Sequence, residues 1–269
     1  MQKHRIIIDR GCGFFSDFLT ASAGLLYCYE QGFKPHVHWQ NELYSEQPVN
    51  LFDLYFHQEH DEGPFDVVHQ NLTPYGYVLG LEPEWWEKTD VEISYCLTRM
   101  VRVYQTYNTF DSPIINTVPK DFFKGKRVLG FHKRDTDVGD SGKTWACVPD
   151  ETWVRLLHRY MASGQYDQLF CITDNELSLE VFKKEFGSTL LHTDSYRSPS
   201  RKPPHYGQGR PPGNGGARLA EGALRDMLLL SQTDFMLLSR SNVSVVALLK
   251  AMQNYKFSDK QFHFVYQQG

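Results

Sequence analysis

Short apolar runs alternate with longer amphipathic stretches along this chain. Ile6, Ile7 and Ile8 centre a strand predicted over 5–9. Behind it Phe18, Leu19, Ala23, Leu26 and Tyr27 recur at helical spacing, which predicts a helix from Ser16 to Gln31. Gly32 suits a helix exit and residues 34–39 alternate as a second strand, so the opening reads as a βαβ unit. Residues 40–90 are punctuated by Pro48, Pro64, Pro74 and Pro83 among aromatic clusters, and loops and short elements along a binding face are expected there. A further helix is predicted over 91–109, and the stretch NTFDSPIINTVPKDF marks an interdomain connection. Beyond it, strands predicted at 127–132, 168–174, 188–194, 234–239 and 262–267 alternate with helices at 151–162, 176–186, 216–231 and 243–254. Strands separated by such helices pair in parallel with helices on both faces, so the fold class is α/β. The pattern divides into domains at 1–120 and 121–254, with a closing segment at 255–269.

The 269 residues suffice for one large core or two smaller ones. Lysine and arginine number 28 against 32 acidic residues, a net charge of −4, which offers nucleic acid no global attraction. The apolar part of MQKHRIIIDR is too short for a signal peptide, and no apolar run approaches the length of a membrane span. Five scattered cysteines suit a reducing compartment. The expected location is the cytoplasm, or the cytoplasmic face of a membrane, with no transmembrane segment.

The run RVLGFHKRDTD, residues 127–137, changes abruptly from core-like to charged. Buried charge is costly unless paired, so the charged half is expected to emerge at a sheet edge or rim. In an open α/β sheet, ligands bind beyond the carboxyl ends of the strands. Three predicted strands end in polar groups there: His132-Lys133-Arg134, Thr173-Asp174-Asn175, and the run from Ser239 to Ser244. The last precedes an apolar helix, whose first N–H groups and dipole favour an anion. Ser241 and Ser244 would add hydroxyls, Asn242 and Val243 their backbone, and Arg134 a planar fork for a phosphate. Each group also has a plain structural use. Arg134 can pair with Asp135 or Asp137, His132 can be a satisfied core histidine, and the serines and Asp174 can be helix caps. Acidic residues occur singly and the histidines lack ligand spacing, so no metal is expected. Gly11-Cys12-Gly13 is no dinucleotide fingerprint; Gly11 and Gly13 suit a tight turn or a close approach by substrate.

GFHKRDTDVG, residues 130–139, resembles the H-x-R motif of the α1,6-fucosyltransferase group, part of a wider superfamily of GDP-fucose-dependent enzymes. The resemblance continues through LFCITDN (169–175), RLAEGALRDMLLLSQTDFMLLSRSNVSVVA (218–247) and, more faintly, RGCGFFSDFL (10–19). It implies a GT-B-like fold of two facing Rossmann-like domains, the first on the acceptor side and the second holding the nucleotide sugar. The closing segment would complete the second domain or cross between the two. It further implies an inverting, metal-independent glycosyltransferase that moves fucose from GDP-fucose to a glycan hydroxyl, with no other cofactor. Arg134 is then expected at the pyrophosphate, His132 near the donor, Asp226 at the nucleotide or its pocket, Ser241 and Asn242 at phosphate, and Asp174 beside the nucleoside. Gly11 and Gly13 fall in the faint amino-terminal match.

Those enzymes carry a second arginine after the motif arginine. This chain has Asp135, an anion expected near the pyrophosphate, which leaves another nucleotide sugar open as donor. The catalytic glutamate of the group has no residue-for-residue match, which leaves open a non-catalytic glycan- or nucleotide-binding protein. Asp140 is the candidate base, with Asp137 in reserve. Trp39, Tyr75, Trp85 and Trp86 are candidates to stack on the acceptor, and Lys143 or the 195–216 loop to close over the donor.

Overall fold

The computed structural model describes residues 1–45, 47–60, 63–70, 89–119, 121–136, 148–200, 202, 211, 215–253, 258 and 261–265. The backbone forms two compact units, Met1–Val118 with Leu248–Asp259, and Pro119–Ala247 with Lys260–Gly269.

In the first unit β1 (Lys3–Ile8), α1 (Phe14–Gln31) and β2 (Lys34–Trp39) build the anticipated βαβ unit. The helix starts two residues earlier than its apolar spacing indicates, because Gly13 supplies the cap in extended conformation. Gly32 ends it at φ +68°, in the left-handed region that glycine adopts without strain. The short helix α2 (Leu51–Tyr55) and β3 (Val67–Gln70) fill part of the proline-punctuated region. β3 pairs in parallel with β1, giving the order β2-β1-β3. α3 (Asp90–Thr106) opens on a capping box between Thr89 and Glu92, and α4 (Pro113–Asn116) is capped by Ser112. Trp39 is fully buried, packed on Phe14 and Phe56. Its ring belongs to the core and does not offer a face to a sugar.

The second unit holds β4 (Val128–Lys133), α5 (Asp150–Ala162), β5 (Gln168–Thr173) and α6 (Glu176–Phe186). The edge strand β6 (Leu190–Leu191), α7 (Gly215–Leu230), β7 (Phe235–Leu238), α8 (Asn242–Met252, assigned to the first unit from Leu248 on) and β8 (Phe262–Phe264) follow. The strand order is β6-β5-β4-β7-β8, with every neighbouring pair parallel. Leu129, Phe131, Trp153, Leu157, Cys171 and Phe182 anchor the core between sheet and helices. The predicted strand 188–194 pairs only over two residues. A 3-10 turn precedes it, and beyond it the Thr193 hydroxyl turns to Asp226 on α7.

Among the described residues, no helix is long and apolar enough to cross a membrane.

Candidate functional site

β4 stays buried from Val128 through Lys133, so its charged end does not emerge at the rim as a block. Successive side chains on a strand point to opposite faces, and here each finds its own partners. His132 turns toward the start of α8, with Nδ1 2.8 Å from Ser244 Oγ and 3.2 Å from Ser241 Oγ. Burial pushes its pKa down from 6.5 to about 4, with nearby Asp174 opposing and Arg134 reinforcing the shift. The ring is neutral near pH 7 and holds two serine hydroxyls in place.

Arg134 keeps about a fifth of its side chain exposed, and Nη1 lies 3.0 Å from Asp174 Oδ2. Its backbone N–H donates to Ser239 Oγ at 3.1 Å. Asp174 is itself held, with Oδ1 accepting the N–H groups of Asp135 at 3.0 Å and Thr136 at 3.3 Å, and Oδ2 accepting from Thr136 Oγ1. Arg134 thus pairs with Asp174, while the carboxylate of the adjacent Asp135 turns to Lys133. Asp174 does not cap α6. Asn175 does, accepting the N–H of Leu177 at 2.8 Å.

β4 and β7 are neighbours up to the pair His132↔Leu238, so the Arg134 peptide and the turn into α8 share one end of the sheet. Ser241 Oγ accepts the N–H of Ser244 at 3.3 Å, and its carbonyl accepts the N–H of Val245 at 3.1 Å. Asn242 and Val243 form the first turn of α8, where backbone N–H groups lack helical acceptors.

Asp135 differs most from its sequence reading. It is buried, with Oδ1 receiving Lys133 Nζ at 2.7 Å and Oδ2 receiving Asn175 Nδ2 at 2.7 Å and Ser178 Oγ at 2.9 Å. Lys133 is equally buried, and its charge compensates that of Asp135 inside the unit. A buried ion pair of this kind survives when hydrogen bonds satisfy its remaining donors and acceptors.

At the next strand end, Asp226 on α7 accepts from Thr193 Oγ1 and from Ser195 Oγ at 2.9 Å. Burial raises its pKa, while the Thr193 bond and Arg197 pull the other way. Arg197 is buried and donates through Nη1 to the carbonyls of Thr193 at 3.1 Å and Ser195 at 2.8 Å. Among the described residues, its Nε and Nη2 find no hydrogen-bond partner. In strand order the sheet end carries Thr193 with its buried partners Asp226 and Arg197 beyond β6, then Asp174 after β5, Arg134 after β4 and Ser241 after β7. Neighbouring strands lie about 4.8 Å apart.

Gly11 and Gly13 lie in the first unit, at the turn from β1 into α1. Gly11 has φ +61°, and the Gly13 carbonyl accepts the N–H of Ser16 at 2.8 Å. Asn41 Nδ2 secures this turn by donating to the Cys12 carbonyl at 2.9 Å and to buried Asp17 at 2.7 Å. Asp137, Asp140, Lys143, Tyr75, Trp85, Trp86 and most of the 195–216 loop lie outside the described residues. Among the described residues no group of three or more His, Cys, Asp or Glu side chains gathers as a metal site.

No protein-family model and no curated protein matches the chain. Solved structures do. A structure of NodZ α-1,6-fucosyltransferase co-crystallised with GDP superposes with TM-score 0.54 at 15% identity, covering 92% of each chain. Fucosyltransferase NodZ from Bradyrhizobium gives TM-score 0.54 at 16% identity, over 92% of this chain and 93% of that one. The NodZ structure soaked with GDP-fucose matches with the same figures. The fold is GT-B-like. Two α/β domains with parallel sheets are what this likeness establishes, in agreement with the architecture that the H-x-R resemblance implies. Arg134, Asp174 and Ser241 follow the carboxyl ends of β4, β5 and β7 in the second unit.

Sequence reasoning singled out Arg134, His132, Asp174, Asp226 and Ser241 but not their supports. The sequence marks Lys133 and Asn175 only as polar strand-end residues and gives no role to Ser178, Asp150 or Arg197, because each looks ordinary alone. A signal was present in Lys133-Arg134-Asp135, since alternation on a strand puts its two outer charges on the face away from Arg134.

Proposed function

We propose that this protein is an inverting glycosyltransferase that takes a sugar from a nucleoside-diphosphate donor, with GDP-fucose as the favoured donor and a glycan hydroxyl as acceptor. The observation that carries the reading is the pairing of Arg134 with the serine-bearing entrance of α8 on adjacent strand ends, joined through the Ser239 bond to the Arg134 N–H. An arginine fork and a helix N-terminus together form an anion site. The NodZ structures with GDP and GDP-fucose support the choice of donor.

In the proposed reaction the acceptor oxygen attacks the sugar C1 while the bond from C1 to the phosphate oxygen breaks. The hydroxyl proton passes to a carboxylate, with Asp140 the candidate and Asp137 in reserve. The electron pair leaves with the diphosphate, whose growing charge Arg134, Ser241 and the first N–H groups of α8 stabilise. Asp174, now paired with Arg134, would yield the guanidinium to the diphosphate. At the other end of the row, the Asp226 carboxylate suits the ring N–H and amino group of guanine, and the two unpartnered N–H groups of Arg197 suit a base carbonyl. His132, neutral, keeps Ser241 and Ser244 aimed.

Calorimetric titration with GDP, UDP and ADP tests the reading, paired with donor consumption in the presence and absence of glycan acceptors. GDP is expected to bind most tightly, and GDP-fucose to be consumed only when acceptor is added. Arg134→Ala should weaken GDP by about 1.5–3 kcal/mol, the worth of a hydrogen bond to a charged group. Binding of none of the three nucleotides would end the transferase reading. Binding without turnover across an acceptor panel would leave a nucleotide-binding protein.

A further inference from the structure

β4 ends at Lys133 and runs on into Arg134 and Asp135, and the middle one of these three charged residues is the proposed diphosphate ligand. Its neighbours face inward and grip one another. Lys133 is 1% exposed, and its Nζ donates to Asp135 Oδ1 at 2.7 Å and Ser178 Oγ at 3.1 Å. Asp150 Oδ1 lies 2.8 Å away as an ion contact, without hydrogen-bond alignment. Two hydrogen bonds and one ion contact thus surround the ammonium group. Asp150 is the first residue of α5 and Ser178 lies in the first turn of α6, where a helix start favours negative charge.

We propose that Lys133 is a positioning residue for the diphosphate site. It fixes the peptide that carries Arg134, and thereby the direction of the guanidinium. The inference rests on the diphosphate reading above and adds to it the device that holds the ligand rigid. The contacts form a closed circuit: Lys133 to the Asp135 carboxylate, the Asp135 N–H to Asp174, and Asp174 back to Arg134. Asp135 and Asp150 stand on either side of the connection between β4 and α5 and meet at a single ammonium. Stability alone calls for no such arrangement, since apolar side chains of similar volume often serve a buried site as well or better. What the network adds is orientation, and a fork-shaped phosphate ligand depends on orientation for its bidentate geometry.

The experiment measures GDP, inorganic pyrophosphate and guanosine binding to the full chain by calorimetry, with unfolding midpoints recorded for each variant. The variants are Lys133→Met, the charge-neutral double variant Lys133→Met/Asp135→Asn, and Asp150→Asn. Positioning predicts that the double variant loses about tenfold or more in GDP and pyrophosphate affinity while guanosine binding stays within about twofold. Asp150→Asn is partly exposed and leaves the Lys133–Asp135 pair intact, so it should cost the two phosphate ligands about threefold. A purely structural role would lower guanosine and GDP together, or restore GDP binding as stability returns in the double variant. Either result overturns the proposal. So does unchanged GDP binding in Asp150→Asn, which decides the matter if both Lys133 variants fail to fold. Wild-type protein that binds neither GDP nor pyrophosphate would refute the diphosphate reading itself. Wild-type binding with unaltered variants would refute the positioning role alone.

Discussion

His132 carries the clearest pH consequence. In the unfolded chain its imidazole protonates near 6.5, and in the folded chain near 4, because burial disfavours the cation. Above pH 6.5 neither state binds the proton and stability is unaffected. Between pH 6.5 and 4 only the unfolded state takes it up, so stability falls as the pH is lowered, by at most about 3 kcal/mol from this group. Urea unfolding at pH 7, 6 and 5 should show that slope in the wild type and a shallower one in His132→Asn. Equal slopes would mean that the imidazole is not held neutral. The place of His132 near the end of a buried strand is legible in the run VLGFH. Its neutrality is not, because nothing in the local sequence reveals that α8 closes over it.

Strands and helices here depend on how closely they can approach, and glycine sets two of the contacts. A Cβ on Gly130 would stand 2.6 Å from Leu230 Cδ1 and 2.6 Å from Thr233 Oγ1, so α7 packs on β4 only because that position is bare. Gly130→Ala should cost about 1–3 kcal/mol by overpacking, measured as a lower denaturant midpoint with unchanged m-value. Gly24 plays the same part between α1 and β1, where an added Cβ would meet Ile6 at 2.7 Å. Apolar periodicity reveals that such helices exist and roughly where they end. α6 falls where its spacing put it, and α8 begins one residue early. The edge strand β6 misled, since Thr193 has strand-like neighbours yet spends its hydroxyl on Asp226. A strand ends where a side chain finds a better partner than the ladder offers, and that partner is remote in sequence.

GDP is expected to act on the molecule through the sheet of the second unit. At one hundred times its dissociation constant, a ligand that binds only the folded form adds about 2.7 kcal/mol of stability. A protein of this size should then melt several degrees higher, since each kcal/mol moves the midpoint by roughly 2–4 °C. Hydrogen exchange should slow at residues 132–136, 174–178 and 239–246, with little change at β1 and β2. Protection confined to β1 and β2 would move the nucleotide site to the other unit.

The residue order alone sufficed for the alternation of strands and helices, hence a parallel α/β architecture, and for the polar groups that end β4, β5 and β7. Those features follow from periodicity and from the rule that buried charge needs a partner, both of which act over a few residues. Which partner each charge takes is a different matter. Arg134 meets Asp174 across 40 residues, Lys133 meets Asp150 across 17, and His132 meets Ser244 across 112. Strand order brings those positions together, and with them the burial that turns Asp135 from an apparent loose anion beside Arg134 into the buried partner of Lys133, Asn175 and Ser178.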